Sequence, residues 1–191
     1  GSHLKALFTY KNIDFVDITR SVWDLTQWKT DEELDIIFNE VEAVFHFAAA
    51  LPTNSKEETQ LLFDVNVRSC LNMAQWATKN DIPIVYLSGS TVYANPNANN
   101  ISEDSEKVIY GLGGLYGYSK LLAENIFSHF VPQGLNITIL RPTSVYGTGL
   151  GKDKLVNLFL KKAKNNKQIV LSEANNKINF VSLQQDIKNY N

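Results

Sequence analysis

Cysteine and methionine are almost missing from this chain: Cys70 and Met73 are the single representatives of each in 191 residues. One thiol excludes a disulfide framework, and its place in the apolar stretch VNVRSCLNMAQWA predicts a small buried hydrophobe in a reducing, cytoplasmic compartment. No apolar run approaches the ~20 residues that a membrane-spanning helix needs. An excess of charge of one sign is lacking as well, since 18 basic residues against 20 acidic ones leave a net charge of -2. Apart from KKAKNNK at 161–167, read as a solvated helix end, the basic residues are scattered. They offer no footprint for nucleic acid or an anionic membrane. The fingerprint G-x-G-x-x-G is missing too: GLGGLYG has Tyr116 where the third glycine would fall, and GTGLG is followed by Lys152 at that place. His46 has no Cys, His or acidic neighbour at metal-ligand spacing and is read as structural. The residues GSH before Leu4 read as a cloning scar over 1–3, and with no initiator methionine the chain is expected to be a piece of a longer protein.

Alternating elements are present throughout. IDFVDI (13–18) is a short β-branched run, and TDEELDIIFNE (30–40) opens with a Thr-x-x-Glu capping box and carries Leu34, Ile37 and Phe38 on one face. VEAVFHFAAA (41–50) and IPIVYLSGS (82–90) are near-continuous apolar runs of strand length, separated by a helix capped by Ser55-x-x-Glu58 and running to about Lys79. After a loop rich in Asn, Pro and Ser comes LYGYSKLLAENIFSHF, with Leu122, Ile126 and Phe130 at helical spacing. NITILRPTSVYG (136–147) reads as a fourth strand and KDKLVNLFLKKAKN (152–165) as a helix, with QIVLS (168–172) and INFVS (178–182) as short strands beyond. Strands buried on both faces and alternating with helices predict an α/β, Rossmann-like doubly wound parallel sheet.

In such a sheet the ligand crevice lies beyond the carboxyl ends of the strands. The residues there are Asp17 and Ile18, Ala48 to Ala50, Ser88 to Ser90, and Pro142 to Val145. Small residues after the second strand would let a flat cofactor approach the backbone, or would merely pack beneath the next helix. Tyr116 and Lys120 stand one helical turn apart and share a face. An ammonium near a phenol favours phenolate and lowers its pKa toward the working pH, which suits an acid/base for a carbinol proton. Tyr118 has Leu122 four residues on and reads as a partly buried aromatic, and Arg141, ending a buried strand, reads as a structural partner.

Taken together, VDI (16–18), VFHFAAA (44–50), DVNVRS (64–69), YLSGSTVY (86–93), YGYSK (116–120), LRPTSVYG (140–147) and NFVSLQQDI (179–187) resemble an extended short-chain dehydrogenase/reductase of the NAD-dependent epimerase/dehydratase family. The resemblance implies NAD (or NADP) as cofactor, with Asp17 and Ile18 at the adenine, Phe47, Ala48 and Ala49 along the pyrophosphate and ribose, Asn66 nearby, and Pro142, Ser144 and Val145 at the nicotinamide. It implies Tyr116 as catalytic acid/base and Lys120 as ribose anchor and tuner of the tyrosine. It further implies a nucleotide-sugar substrate and a homodimer through a four-helix contact of the helices at 56–79 and 114–131.

Two departures qualify it. The family's Ser or Thr four residues before the tyrosine of VY falls on Gly89, flanked by Ser88 and Ser90, of which Ser90 is preferred. The Gly-rich first βαβ unit and most of the substrate lobe are expected outside this sequence. The division is then 4–150 as a partial NAD(P)-binding domain with the active site, and 151–191 as the start of the substrate-binding region. The function expected is an NAD(P)-dependent epimerase or reductase acting on a nucleotide-activated sugar. The alternatives are a catalytically inactive nucleotide-binding or regulatory protein, or an inert fragment.

Overall fold

The computed structural model describes residues 1–52, 58–95, 100–107, 113–147, 149–151, 154–170 and 178–183. Its helices are α1 (Ser2–Lys11), α2 (Asp31–Ile37), α3 (Glu58–Phe63), α4 (Ser69–Lys79), α5 (Gly114–Phe130) and α6 (Leu155–Lys164). The strands are β1 (Val44–His46), β2 (Ile84–Leu87), β3 (Ile137–Leu140), β4 (Ser144–Tyr146) and β5 (Phe180–Ser182). Strands β1, β2 and β3 form one parallel sheet in that order, with Val44 opposite Ile84 and Ile84 opposite Ile137. Strands β4 and β5 pair in parallel as a second, two-stranded sheet. The chain is α/β with parallel sheets. It divides into two compact units, Asp14–Arg141 with Gly1, and Ser2–Ile13 with Pro142–Asn191. The expected functional boundary at 150/151 falls inside the second unit, and Ser2 and His3 of the expected scar begin α1.

Local chemistry accounts for the elements of the first unit. The capping box at α2 forms in full, Thr30 Oγ1 accepting from the Glu33 amide and Glu33 Oε2 from the Thr30 amide. Leu34 and Phe38 are buried beside Trp23, and the rings of Phe38 and Trp76 lie 4.8 Å apart. Helices α3 and α4 are joined without a break by a π-helical turn, Asp64–Arg68, whose closing bond runs from the Ser69 amide to the Asp64 carbonyl. Met73, Ala74 and Ala77 from α4 and Phe127 from α5 pack with Val44, Ile84 and Tyr86 of the sheet in one core. Ser55, expected to cap the helix at 58, lies outside the described residues, as do 171–177 and 184–191.

Four expectations are corrected. IDFVDI forms no strand: among the described residues no ladder partner lies beside it, and Ile13, Phe15 and Val16 are exposed, while only Ile18 packs against the core. Residues 168–170 of QIVLS are not strand either. NITILRPTSVYG is two strands in two sheets, broken at Pro142, which has no N–H to give a ladder and keeps its predecessor out of the helical region. Burial in the three-stranded sheet alternates: Phe45 and Leu140 are each 41% exposed while Val44, His46, Ile84 and Tyr86 are buried. The apolar strands therefore have one covered face among the described residues.

Helix α5 reaches its place by close backbone approach. A 3-10 turn, Ser90–Val92, follows β2, and a Cβ at Gly117 would stand 2.8 Å from the Thr91 carbonyl oxygen, one at Gly113 2.8 Å from Thr91 Cβ. Backbone cannot give way as a flexible side chain can. Gly117→Ala should therefore lower stability by about 1–3 kcal/mol despite the ~1 kcal/mol gain in helix propensity. Thermal melting reads this directly; a melting temperature equal to or above that of the parent would mean that the contact is not tight.

Candidate active site

The segment after β1 and the first half of α5 meet through one buried carboxamide. Asn66, 2% exposed, sits in the π-helical turn and makes both hydrogen bonds of a peptide-like pair with Ala50: the Ala50 amide donates to Oδ1 at 2.8 Å and Nδ2 donates to the Ala50 carbonyl at 3.1 Å. The same Nδ2 reaches Ser119 Oγ at 3.0 Å, and that hydroxyl donates to the Tyr116 carbonyl at 2.7 Å. The segment after β1 is thus fixed to the turn of α5 that bears Tyr116. A π-turn carries an extra residue, which lets a polar side chain point inward from an otherwise apolar helix face.

Lys120 is buried, 2% exposed. Its Nζ donates to the Leu87 carbonyl at the end of β2, 2.7 Å away, and lies 4.6 Å from the centroid of the Tyr86 ring. A carbonyl and an aromatic face replace only part of the lost hydration, so burial pulls this ammonium down to about 8, with Cys70 and then Glu124 opposing the change. Beneath it Tyr86 stacks on His46 at 5.8 Å, and His46 Nε2 lies 3.5 Å from Cys70 Sγ. Burial holds His46 neutral, its pKa down to about 4, and drives the Cys70 thiol up to about 12. Both residues are structural, in accord with the sequence reading.

Tyr116 is half-buried near the start of the same helix, and Tyr118, read from the sequence as partly buried, is instead exposed at 38%. The expected lowering of the Tyr116 pKa is not what the structure has: burial pushes its phenol up. The reason is geometric. Lys120 turns its ammonium to the Leu87 carbonyl and the Tyr86 face, so the phenol gains desolvation without gaining a countercharge.

The hydroxyls after β2 differ in access. Ser88 is 5% exposed and its Oγ has no hydrogen-bond partner; Thr91 Oγ1 is likewise buried and unpartnered. Ser90, half-buried, opens the 3-10 turn. At Gly89 the backbone is extended, with φ -178, and a Cβ would find only Thr91 Oγ1 at 3.6 Å, so no steric rule demands glycine there.

Arg141, at the end of β3, forms the structural partnership read from the sequence. Its Nε and NH2 donate to the two carboxylate oxygens of Glu124, both at 2.9 Å, while NH1 donates to Tyr93 Oη and to the Glu103 carbonyl, both at 3.0 Å. Glu124 is 3% exposed.

Of the residues expected at a cofactor, Phe47, Ala48, Ala49, Asn66, Tyr116 and Lys120 belong to the first unit, around the ends of β1 and β2. Ile18 packs against the core and Asp17 is exposed. Pro142, Ser144 and Val145 belong to the second unit, where the Ser144 amide donates to the Asn179 carbonyl at 3.2 Å and Val145 pairs with Val181. Sequence reasoning missed Ser119, Tyr86, Thr91 and Glu124. Glu124 was within reach of it, standing four residues after Lys120 and eight after Tyr116 on one helix face. Tyr86 and Thr91 carry no such signal, because their parts depend on contacts across the fold.

Comparison with known proteins gives the same architecture. The profile of the NAD dependent epimerase/dehydratase family matches residues 1–182. A UDP-N-acetyl-alpha-D-glucosaminuronate decarboxylase from Bacillus cytotoxicus is 30% identical over 116 residues, 58% of this chain and 36% of the relative. Among solved structures, the UDP-N-acetylglucosamine 4-epimerase from Bacillus cereus superposes with a TM-score of 0.78 at 24% identity, over 96% of this chain and 63% of that one. The UDP-glucuronic acid 4-epimerase from Bacillus cereus, solved as a complex with NAD, gives 0.71 at 18% identity over 94% of this chain and 55% of that one. The chain thus spans about a third of that curated relative and somewhat over half of these solved chains. By the family profile, which covers nearly its whole length, the chain belongs to the NAD-dependent epimerase/dehydratase family.

Proposed function

We propose that the protein containing this chain is an NAD(P)-dependent epimerase or reductase of a nucleotide-activated sugar, with Tyr116 as the acid/base and Lys120 as the group that tunes it. The observation that carries the reading is Lys120: a buried ammonium at a strand tip, with a single hydrogen bond to a backbone carbonyl among the described residues, keeps two N–H donors for a ligand. The hydroxyls of Ser88 and Thr91, in the segment after β2, are buried without a hydrogen-bond partner. These groups fit the ribose and nicotinamide end of a dinucleotide, and the small residues Ala48 and Ala49 fit its passage over the sheet edge. Bound there, the cofactor supplies the hydride acceptor and donor. The chain's own residues hold the sugar, exclude water and move a proton at the Tyr116 hydroxyl. That hydroxyl is protonated as the structure stands, the form that gives a proton. Ser90 is the hydroxyl that can meet a substrate oxygen, since Ser88 Oγ is sealed. The buried thiol fits a reducing cytoplasmic setting.

The reading extends to a homodimer. Leu122, Ile126 and Phe130 on α5 are half-buried, and with Phe63, Val67 and Leu71 they line an apolar groove between the two helical segments. A second copy of these helices would cover it.

Tyr116→Phe should lower the turnover of the whole protein with NAD and a nucleotide sugar by about a hundredfold or more, with unchanged circular dichroism. Turnover equal to the parent's would end the catalytic assignment. Ser90→Ala should lower the rate while Ser88→Ala leaves it near the parent's; the reverse order would move the role to Ser88. For the dimer, sedimentation at micromolar concentration should give twice the chain mass, and Leu122→Asp should give the monomer; a monomeric parent would dispose of the interface.

A further inference from the structure

Lys120 and Glu124 occupy positions i and i+4 of α5, where an ammonium and a carboxylate ordinarily meet. Here they do not. Both Glu124 oxygens accept from the Arg141 fork at 2.9 Å, and among the described residues Lys120 has no carboxylate within ion-pair distance. Its ammonium is left to the Leu87 carbonyl and the Tyr86 ring. We propose that Arg141 is a positioning residue: by engaging both oxygens of the buried Glu124, it withholds that carboxylate from Lys120 and leaves the lysine directed at the ligand crevice. The inference deepens the enzymatic reading above and rests on it for its functional meaning.

The surroundings fit this division of charge. Glu124 is 3% exposed, and a carboxylate so buried is costly without a cation beside it. Arg141 is better placed than Lys120, since its planar fork matches both oxygens at once and its NH1 group is held by Tyr93 Oη and the Glu103 carbonyl. The Tyr93 ring also lies 5.3 Å from the guanidinium carbon. Around Lys120, the titratable groups are His46 from β1, Cys70 from α4, Tyr86 from β2, and Tyr116 and Glu124 from its own helix. Burial keeps His46, Cys70 and Tyr86 neutral, which leaves Glu124 as the one anion able to claim the lysine.

Lysine ε-carbon NMR tests this on the whole chain without any turnover, Lys120→Met identifying the signal. In the parent, Lys120 should titrate well below an ordinary lysine. In Arg141→Met, the released carboxylate should capture the ammonium and raise its midpoint by about one pH unit or more. The double variant Arg141→Met/Glu124→Gln, which removes captor and guard together, should return it to the parental position. A merely structural arginine would change the melting temperature in the single variant and leave the Lys120 midpoint where it was, and that result would overturn the proposal. So would a midpoint in the double variant as high as in the single one. Should Arg141→Met yield no folded protein, Arg141→Lys, which can tie one oxygen at a time, must give a smaller rise; no rise in it is equally fatal. Since the titration needs neither cofactor nor sugar, an inactive protein that shows the shift would sink the enzymatic reading and leave the guarding role intact.

Discussion

A charged amine with 2% of its surface in contact with solvent must find its compensation inside the protein, and the first unit is organised around that requirement at Lys120. A strand carbonyl takes one proton donor, an aromatic face lies within 4.6 Å of the charge, and the nearest anion on the same helix is occupied by another cation. These partners come from β2, α5 and the end of β3, so the lysine can be where it is only when the parallel sheet has formed in register and α5 has docked across it. The compensation is incomplete. A fully paired lysine would have no donors to spare.

The same economy of contacts governs how α5 is held. Gly117 lets the helix approach the Thr91 carbonyl more closely than any side chain would permit, and Asn66 ties the helix through Ser119 to the segment after β1. One contact sets distance and the other sets rotation. Together they place the turn of α5 that carries Lys120 against the end of β2.

Much of this could be read before any coordinates. The capping box at Thr30, the helix end at Lys79, the parallel strands at 44–46, 84–87 and 137–140, and the structural roles of His46, Cys70 and Arg141 follow from short-range chemistry and apolar patterning. What escaped depends on partners distant in the chain. IDFVDI has strand composition, but a strand exists only beside another strand. Pro142 divides one apolar run between two sheets. The spacing of Tyr116 and Lys120 suggested that the amine would serve the phenol, whereas the carbonyl of Leu87, thirty-three residues earlier, claims it instead. The helical spacing of Leu122, Ile126 and Phe130 could not tell a core face from an outer one: Leu121, Ala123 and Phe127 are the buried residues, while Ile126 and Phe130 both touch the core and line the groove with Leu122.

The π-helical turn at Asp64–Arg68 has an effect on the length of chain around it. Winding one more residue into a turn than an α-helix does, it rotates everything downstream by about 100° relative to everything upstream. The segments on either side therefore keep separate inward faces, Leu62 before the turn and Cys70, Met73 and Ala77 after it, although the rod looks continuous. A wheel drawn through all of 58–79 at a single pitch would superimpose two phases and blur both. Deleting one residue there would bring the two faces into a common phase and carry Asn66 away from Ala50, releasing the segment after β1 while the helix itself grew more regular.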